Sequence, residues 1–160
     1  MTPAREAGGQ RGDAGLVLLQ PEGWAAPVGY ANGIAAAGRT IYVAGQIGWN
    51  AATGRIESDD FVTQARLALE NVAAVLRAGG AEPSHVVRLT WFITDKPTYL
   101  ASRRQLGEAY RAVFGQHFPA MSVVFVSALV DDGAKVEIEA TAVVGSGRDE
   151  SEESAMSDNG

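Results

Sequence analysis

Between Ser58 and Gly80 the chain carries a periodic signal that constrains everything around it. Val62, Ala65, Leu69, Val72 and Leu76 recur at spacings of three and four, which draws one apolar stripe along a helix. Ser58 and Asp59 stand before it as N-cap candidates, and Gly79-Gly80 follows where a helix commonly ends on glycine. A helix that is apolar on one side must lay that side on something, and the flanking segments read as a sheet. Val86 to Ile93 is rich in β-branched and aromatic residues and predicts a strand. A second helix starts near Pro97, with Tyr99, Leu106, Tyr110 and Val113 or Phe114 on one side. Strands over Ser122 to Val126 and Lys135 to Val143 close the chain around the loop Asp131-Asp132-Gly133.

Ahead of the first helix, Leu16 to Leu19 predicts an edge strand, and Pro21, Gly23 and Pro27 break the chain into a loop around Trp24. Tyr30 to Ala37 and Thr40 to Gly45 flank Gly38-Arg39, a turn signal that predicts an antiparallel hairpin. Asn50 to Gly54 forms a second loop. The order β-β-β-α-β-α-β-β gives an α+β fold: a mostly antiparallel six-stranded sheet with two helices on one face. No internal repeat is present. In the last strand Val136, Ile138, Ala140 and Ala142 alternate with Glu137, Glu139, Thr141 and Val143. One face packs under the helices; the other needs cover, and with 46% hydrophobic residues in a chain of 160 the cover expected is a partner subunit.

That length fits one domain, expected over residues 15–144, between disordered tails at 1–14 and 145–160. The second tail holds five acids against Arg148, which is −4 of the net −6, and the first balances to zero. A body near −2 offers no basic stripe, so nucleic acid is not an expected partner. No apolar run reaches the 18 residues a membrane span needs, and residues 1–14 lack the apolar core of a secretory signal. With no cysteine and two histidines, His85 and His117, thiolate and multi-histidine metal sites are not expected, and a cytoplasmic location fits.

Several short motifs occur in one order: Tyr30, Ile41-Tyr-Val-Ala-Gly-Gln-Ile47, Leu69-Glu-Asn-Val72, Ala78-Gly-Gly80, Trp91-Phe-Ile-Thr-Asp95, Phe118-Pro-Ala-Met-Ser122 and Val136-Glu-Ile-Glu-Ala140. Together, over roughly Gly29 to Val144, they resemble the Rid family (YjgF-type, also known as L-PSP-like endoribonucleases). The resemblance implies a chorismate-mutase-like fold assembled as a homotrimer, with sheets facing inward and three clefts between subunits. It implies hydrolysis of a small-molecule substrate, a reactive enamine or imine such as 2-aminoacrylate, to a carbonyl compound and ammonia, with no cofactor. Some members carry ribonuclease or translation-inhibitor labels, and the missing basic patch argues against both.

Site residues carry over one position at a time. Where the family motif reads Pro-Ala-Arg-Ser or Thr, its arginine clamping the substrate carboxylate, this chain has Met121. A thioether cannot replace a guanidinium fork, and the loss should cost about 2–5 kcal/mol of carboxylate binding. The family serine before Gly-Gln is Ala44, and the asparagine of the second helix aligns with Gly107. Tyr30, Gly45, Gln46 and Glu137 are retained. The resemblance therefore implies an imine deaminase with a more apolar, less carboxylate-selective cleft.

Imine hydrolysis needs a group that orients and deprotonates water and then protonates the leaving amine, and a carboxylate enclosed in an apolar cleft can do both. Glu137 is the candidate catalytic residue; Glu139 reads as solvated strand face. Tyr30 can hydrogen-bond a substrate carbonyl or carboxylate, or serve as an interface residue. Met121 can wall the cleft or pack, Ser122 can offer a hydroxyl or N–H to an anionic oxygen, and Gln46 can touch ligand or brace the backbone. Trp49 and Trp91 read as core or interface packing anchors, although their rings could wall a pocket. Arg103 and Arg104 read as a solvated helix face, although either could supply the cation that Met121 removes. His117 reads as a surface-loop residue and His85 as structural. Two further functions fit the same cleft: a trimer that binds a metabolite without turnover, and a tailoring enzyme of specialised metabolism using the same acid for cyclisation or dehydration.

Overall fold

The computed structural model describes residues 15–145. The two expected tails therefore lie outside the described residues, apart from Gly145. The elements are β1 (Val17–Leu19), β2 (Gly33–Ala35), β3 (Arg39–Ile47), α1 (Phe61–Ala78), a 3-10 turn (Pro83–His85), β4 (Val86–Ile93), α2 (Lys96–Ala101), α3 (Arg103–Phe114), β5 (Ala120–Phe125) and β6 (Val136–Val144). None of these helices is long and apolar enough to cross a membrane. The main sheet has the order β3-β6-β4-β5, with β6 antiparallel to β3 and β4, and β4 parallel to β5. Parallel neighbours need a crossover, and α2 with α3 supplies it.

The core forms where α1 lies on β3, β6 and α3. Leu69, Val72 and Leu76 of the stripe are fully buried against Leu89, Ile93, Val136 and Ile138. Each such side chain contributes about 1.5–3 kcal/mol of transfer free energy. Val136, Ile138, Ala140 and Ala142 are buried as the alternation requires. On the opposite face Tyr42 is 79% exposed and Val124 is 42% exposed.

Five sequence expectations are corrected. The six strands do not form one sheet: β1 and β2 make a separate antiparallel pair, and four strands make the main sheet. The hairpin across Gly38-Arg39 does not form: β2 pairs with β1 and β3 with β6, and Gly38 at φ 149° lies far from the φ of about 60° that a primed turn sets at its first central residue. The turn instead lays the chain against the Val144 carbonyl, too close for any Cβ at Gly38, and delivers β3 to β6 in the register Arg39↔Val144.

The cap of α1 is Asp60, one residue beyond the expected pair, and its carboxylate accepts from Thr63 N–H at 2.8 Å. The second helix breaks at Ser102 into α2 and α3, so Tyr99 leaves the α3 stripe and meets Phe125 edge-on at 5.6 Å. Asp95 caps α2 through Thr98, and Ser102 (φ −102°, ψ 7°) redirects the axis. β5 also starts two residues early, at Ala120, because Ala31 bridges to it from the outer side.

Candidate functional site

A cavity of about 670 Å³ opens beside the outer edge of the sheet, between α3 and the parallel pair β4 and β5. Trp91, Met121 and Val123 form its floor, a consequence of register: Met121 pairs with Leu89 and Val123 with Trp91, on the helix-covered side of the sheet. Leu106, Gly107 and Tyr110 form the α3 wall, with Tyr99 and Phe118 at the ends and Val28-Gly29 across the mouth. Arg103 and Arg111 of α3 also line it.

The return loop after α3 is fixed by polar contacts. Gly115 ends the helix at φ 61°, and Tyr110 donates its hydroxyl to the His117 carbonyl at 2.7 Å. Burial pushes the Tyr110 phenol pKa upward, so it stays a donor. Tyr110 also stacks on Phe114 and Phe118, with centroids at 5.1 and 5.5 Å. His117 Nε2 lies 2.6 Å from the Val86 carbonyl, which only accepts, so this nitrogen carries the proton. His117 is therefore a partly buried tie between loop and β4, which corrects the surface-loop expectation. His85 accepts from Glu82 N–H through Nδ1 at 3.0 Å and shapes the 3-10 turn.

Glu137 lies on the other side of the sheet, half-buried, between Ile47 of β3 and Phe92 of β4. Its carboxyl is seated on Gly45: a Cβ there would stand 2.6 Å from Glu137 Cδ and 2.8 Å from Cγ. The β3 backbone is irregular between Val43 and Gln46, and Gln46 Nε2 donates across that irregularity to the Ala44 carbonyl at 3.2 Å. Asn71 of α1 holds the end of this strand by donating to the carbonyls of Ile47 and Trp49, both at 3.1 Å. Gly48 lets α1 approach, since a Cβ there would overlap the Gln64 backbone. Gln64, fully buried, donates to the Ser58 and Gly133 carbonyls at 2.8 and 2.9 Å and accepts from Lys135 N–H at 2.8 Å. It thereby anchors the start of β6 two residues before Glu137.

The predicted site residues thus fall into three groups. Gly107 and Met121 share the cavity. Ala44 and Glu137 share the opposite sheet face, and Gln46, which pairs with the core-facing Ile138, stands on the β3 edge. Ser122, next to Met121 and so pointing the other way, is exposed opposite Thr90. Tyr30 lines a smaller depression of about 390 Å³ with Leu18, Leu19 and His117, and Phe118 is the wall it shares with the cavity. Glu139 is exposed, Trp49 is 37% exposed and Trp91 is buried. Arg104 turns away from the cavity and pairs with Glu108 at 3.2 Å. Among the described residues no three acidic or histidine side chains come together as a metal-holding group.

Sequence reasoning missed Gln64, Gly48 and Arg111. A polar residue beside a buried stripe was the available signal for Gln64, and the four-residue spacing from Gly107 for Arg111.

Comparisons with known proteins agree on one relationship. The family model for Endoribonuclease L-PSP matches residues 23–144. A human protein named 2-iminobutanoate/2-iminopropanoate deaminase is 35% identical over 107 residues, 67% of this chain and 74% of the relative. The solved structure of YyfB from Yersinia pestis, described as a Rid family protein of unknown function, has a TM-score of 0.72 at 32% identity, covering 81% of this chain and 99% of that one. E. coli TdcF, solved with bound serine, has a TM-score of 0.57 at 37% identity, covering 76% and 91%. By sequence and by fold, the chain belongs to the Rid/YjgF family.

Proposed function

We propose that this protein hydrolyses a reactive enamine or imine to a carbonyl compound and ammonia, in clefts that two copies of the chain build together. The observation that carries the reading is the seat of Glu137 on Gly45, a carboxylate held half-buried on a sheet face that also bears exposed Tyr42 and Val124. The curated relatives named as iminobutanoate and iminopropanoate deaminases support the same chemistry.

Glu137 orients a water, takes its proton as the oxygen adds to the imine carbon, and returns a proton to the departing nitrogen. Such a group is worth about 10²–10⁴ in rate. In one protomer, however, Glu137 and the Met121 cavity stand on opposite faces of the sheet. Bringing them together requires the cavity edge of one copy to meet the sheet face of another. Two different patches in contact make a heterologous interface, which forms a ring when its rotation closes, and the homotrimer expected of the family is such a ring. Tyr30, beside the cavity, and Ala44, Gln46 and Ser122, from the sheet side, then border the cleft. With Met121 where an arginine would clamp a carboxylate, the reacting end of the substrate sits in apolar surroundings, and the cleft is less carboxylate-selective. No cofactor enters the reaction, which proceeds in the cytoplasm.

The test is ammonia release from enzymatically generated 2-aminoacrylate and from a bulkier carboxylate-free imine, against spontaneous hydrolysis, for wild type, Glu137→Gln and Met121→Arg. Wild type should accelerate at least one substrate, Glu137→Gln should lose that rate, and Met121→Arg should gain on aminoacrylate. A Glu137→Gln protein with undiminished rate would remove the carboxylate from the mechanism; no acceleration by wild type would leave metabolite binding without turnover.

A further inference from the structure

Arg103, Gly107 and Arg111 occupy positions i, i+4 and i+8 of α3 and therefore lie along one face, the face that lines the cavity. The glycine in the middle is unusual, since glycine inside a helix is destabilising relative to alanine. Arg111 occupies the room that glycine leaves. Its Nη1 lies 3.2 Å from where a Cβ at 107 would stand, with Nη2 at 3.8 Å and Cζ at 3.9 Å. The guanidinium is thus folded back one turn along the helix, over the cavity mouth. Among the described residues the ion pairs are Arg66–Glu70, Arg104–Glu108 and Lys135–Asp59, which leaves Arg103 and Arg111 without a carboxylate partner. The floor below is apolar and aromatic: Trp91, Leu106, Tyr110, Phe118 and Met121. Trp91 is 4% exposed, and its indole N–H makes no hydrogen bond among the described residues, a buried donor that an acceptor on a ligand would satisfy.

We infer that the cavity binds a ligand with an aromatic or bulky apolar body and an anionic group, and that Arg111 with Arg103 binds the anion. The strand side of the cavity carries Met121 and no cation, so its charge comes from the helix, where Gly107 leaves the room that Arg111 occupies. The ligand class follows from size and charge. A cavity of about 670 Å³ lies well within the range used by drug-sized ligands and is far larger than a three-carbon imino acid fills. The floor buries the ring, and the anion reaches the guanidinium forks at the rim, several atoms away from the part of the ligand beside Met121. In reaction terms this rests on the deaminase reading and names its substrate class: an imine or enamine whose anion is remote from the reacting carbon. The binding claim itself does not need turnover.

Calorimetric titration of the full chain with 3-phenylpropanoate and its neutral isostere 3-phenylpropanamide tests the inference. Wild type should prefer the acid. Arg103→Met with Arg111→Met should lose about tenfold for the acid and leave the amide unchanged, and Arg111→Lys should restore part of the preference. Both arginines are exposed, so an unchanged thermal melt is expected and serves as the control for folding. Equal binding of acid and amide by wild type, a preference that survives in the double variant, or no binding of either at millimolar concentration would each overturn it. A protein that binds the acid through these arginines yet releases no ammonia from any imine refutes the deaminase reading and leaves this inference standing.

Discussion

Gly45→Ala separates the placement of Glu137 from its presence. An alanine Cβ would stand 2.6 Å from Glu137 Cδ, while carbon atoms in good contact lie about 3.5–4.0 Å apart. The carboxyl must therefore retreat by about 1 Å. A catalytic group misplaced by about 1 Å can lose about 10² in rate, which falls within the 10²–10⁴ that acid–base catalysis supplies in total. The atom that must move is the far end of a half-buried side chain, so stability should change by less than about 1 kcal/mol. The assay pairs ammonia release from the best imine substrate with urea unfolding. The expected result is a loss of about 100-fold at nearly unchanged unfolding midpoint. A variant that keeps its rate within about threefold, while Glu137→Gln is inactive, would refute the idea that Gly45 sets the position of the carboxylate.

Gln64→Leu should cost about 2–4 kcal/mol in denaturant unfolding, because it strands the buried Lys135 N–H and the Ser58 and Gly133 carbonyls; a cost below about 1 kcal/mol would mean that these groups find other partners. Asp60→Ala should cost about 1 kcal/mol through loss of the α1 cap. The Thr63 N–H holds the Asp60 pKa below its ordinary 3.8, so the cap is fully present above that value and is lost as pH falls through the lower, folded one. Wild type and Asp60→Ala should therefore converge in stability on acidification, and a gap that does not narrow as the pH falls below 3.8 would contradict the cap.

Most of the fold was legible because its signals are local. The α1 stripe and the β6 alternation each encode burial within a few residues: Ala65, Leu69, Val72 and Leu76 are buried as read, as are Val136, Ile138, Ala140 and Ala142, and Gly79 ends the helix. What failed was pairing between distant segments. Gly38-Arg39 looks like a hairpin turn, yet the partner of β3 is β6, about a hundred residues on, and only the Arg39↔Val144 register reveals it. The break at Ser102 was equally hidden, since Tyr99 keeps helical spacing to Leu106 while lying on another axis. The candidate site shows the same division. Motif order located Glu137, Gly107 and Met121, but which sheet face each occupies depends on strand register. Arg111 escaped notice because its importance arises from the missing side chain at Gly107, four residues away.

Subunit mixing tests the split cleft most directly. Glu137→Gln keeps the cavity and lacks the acid; Gly107→Phe keeps the acid and fills the cavity, with the movable Arg111 guanidinium nearest its Cβ. Each alone should be inactive. Refolded together in equal amounts, a cleft works only where the open cavity of one chain meets the glutamate of the other, which random assembly provides in about a quarter of clefts. The account predicts recovery of ammonia release to about a quarter of the wild-type rate. Mixed assemblies that form yet stay inactive would contradict it, and would put both halves of the site in one chain.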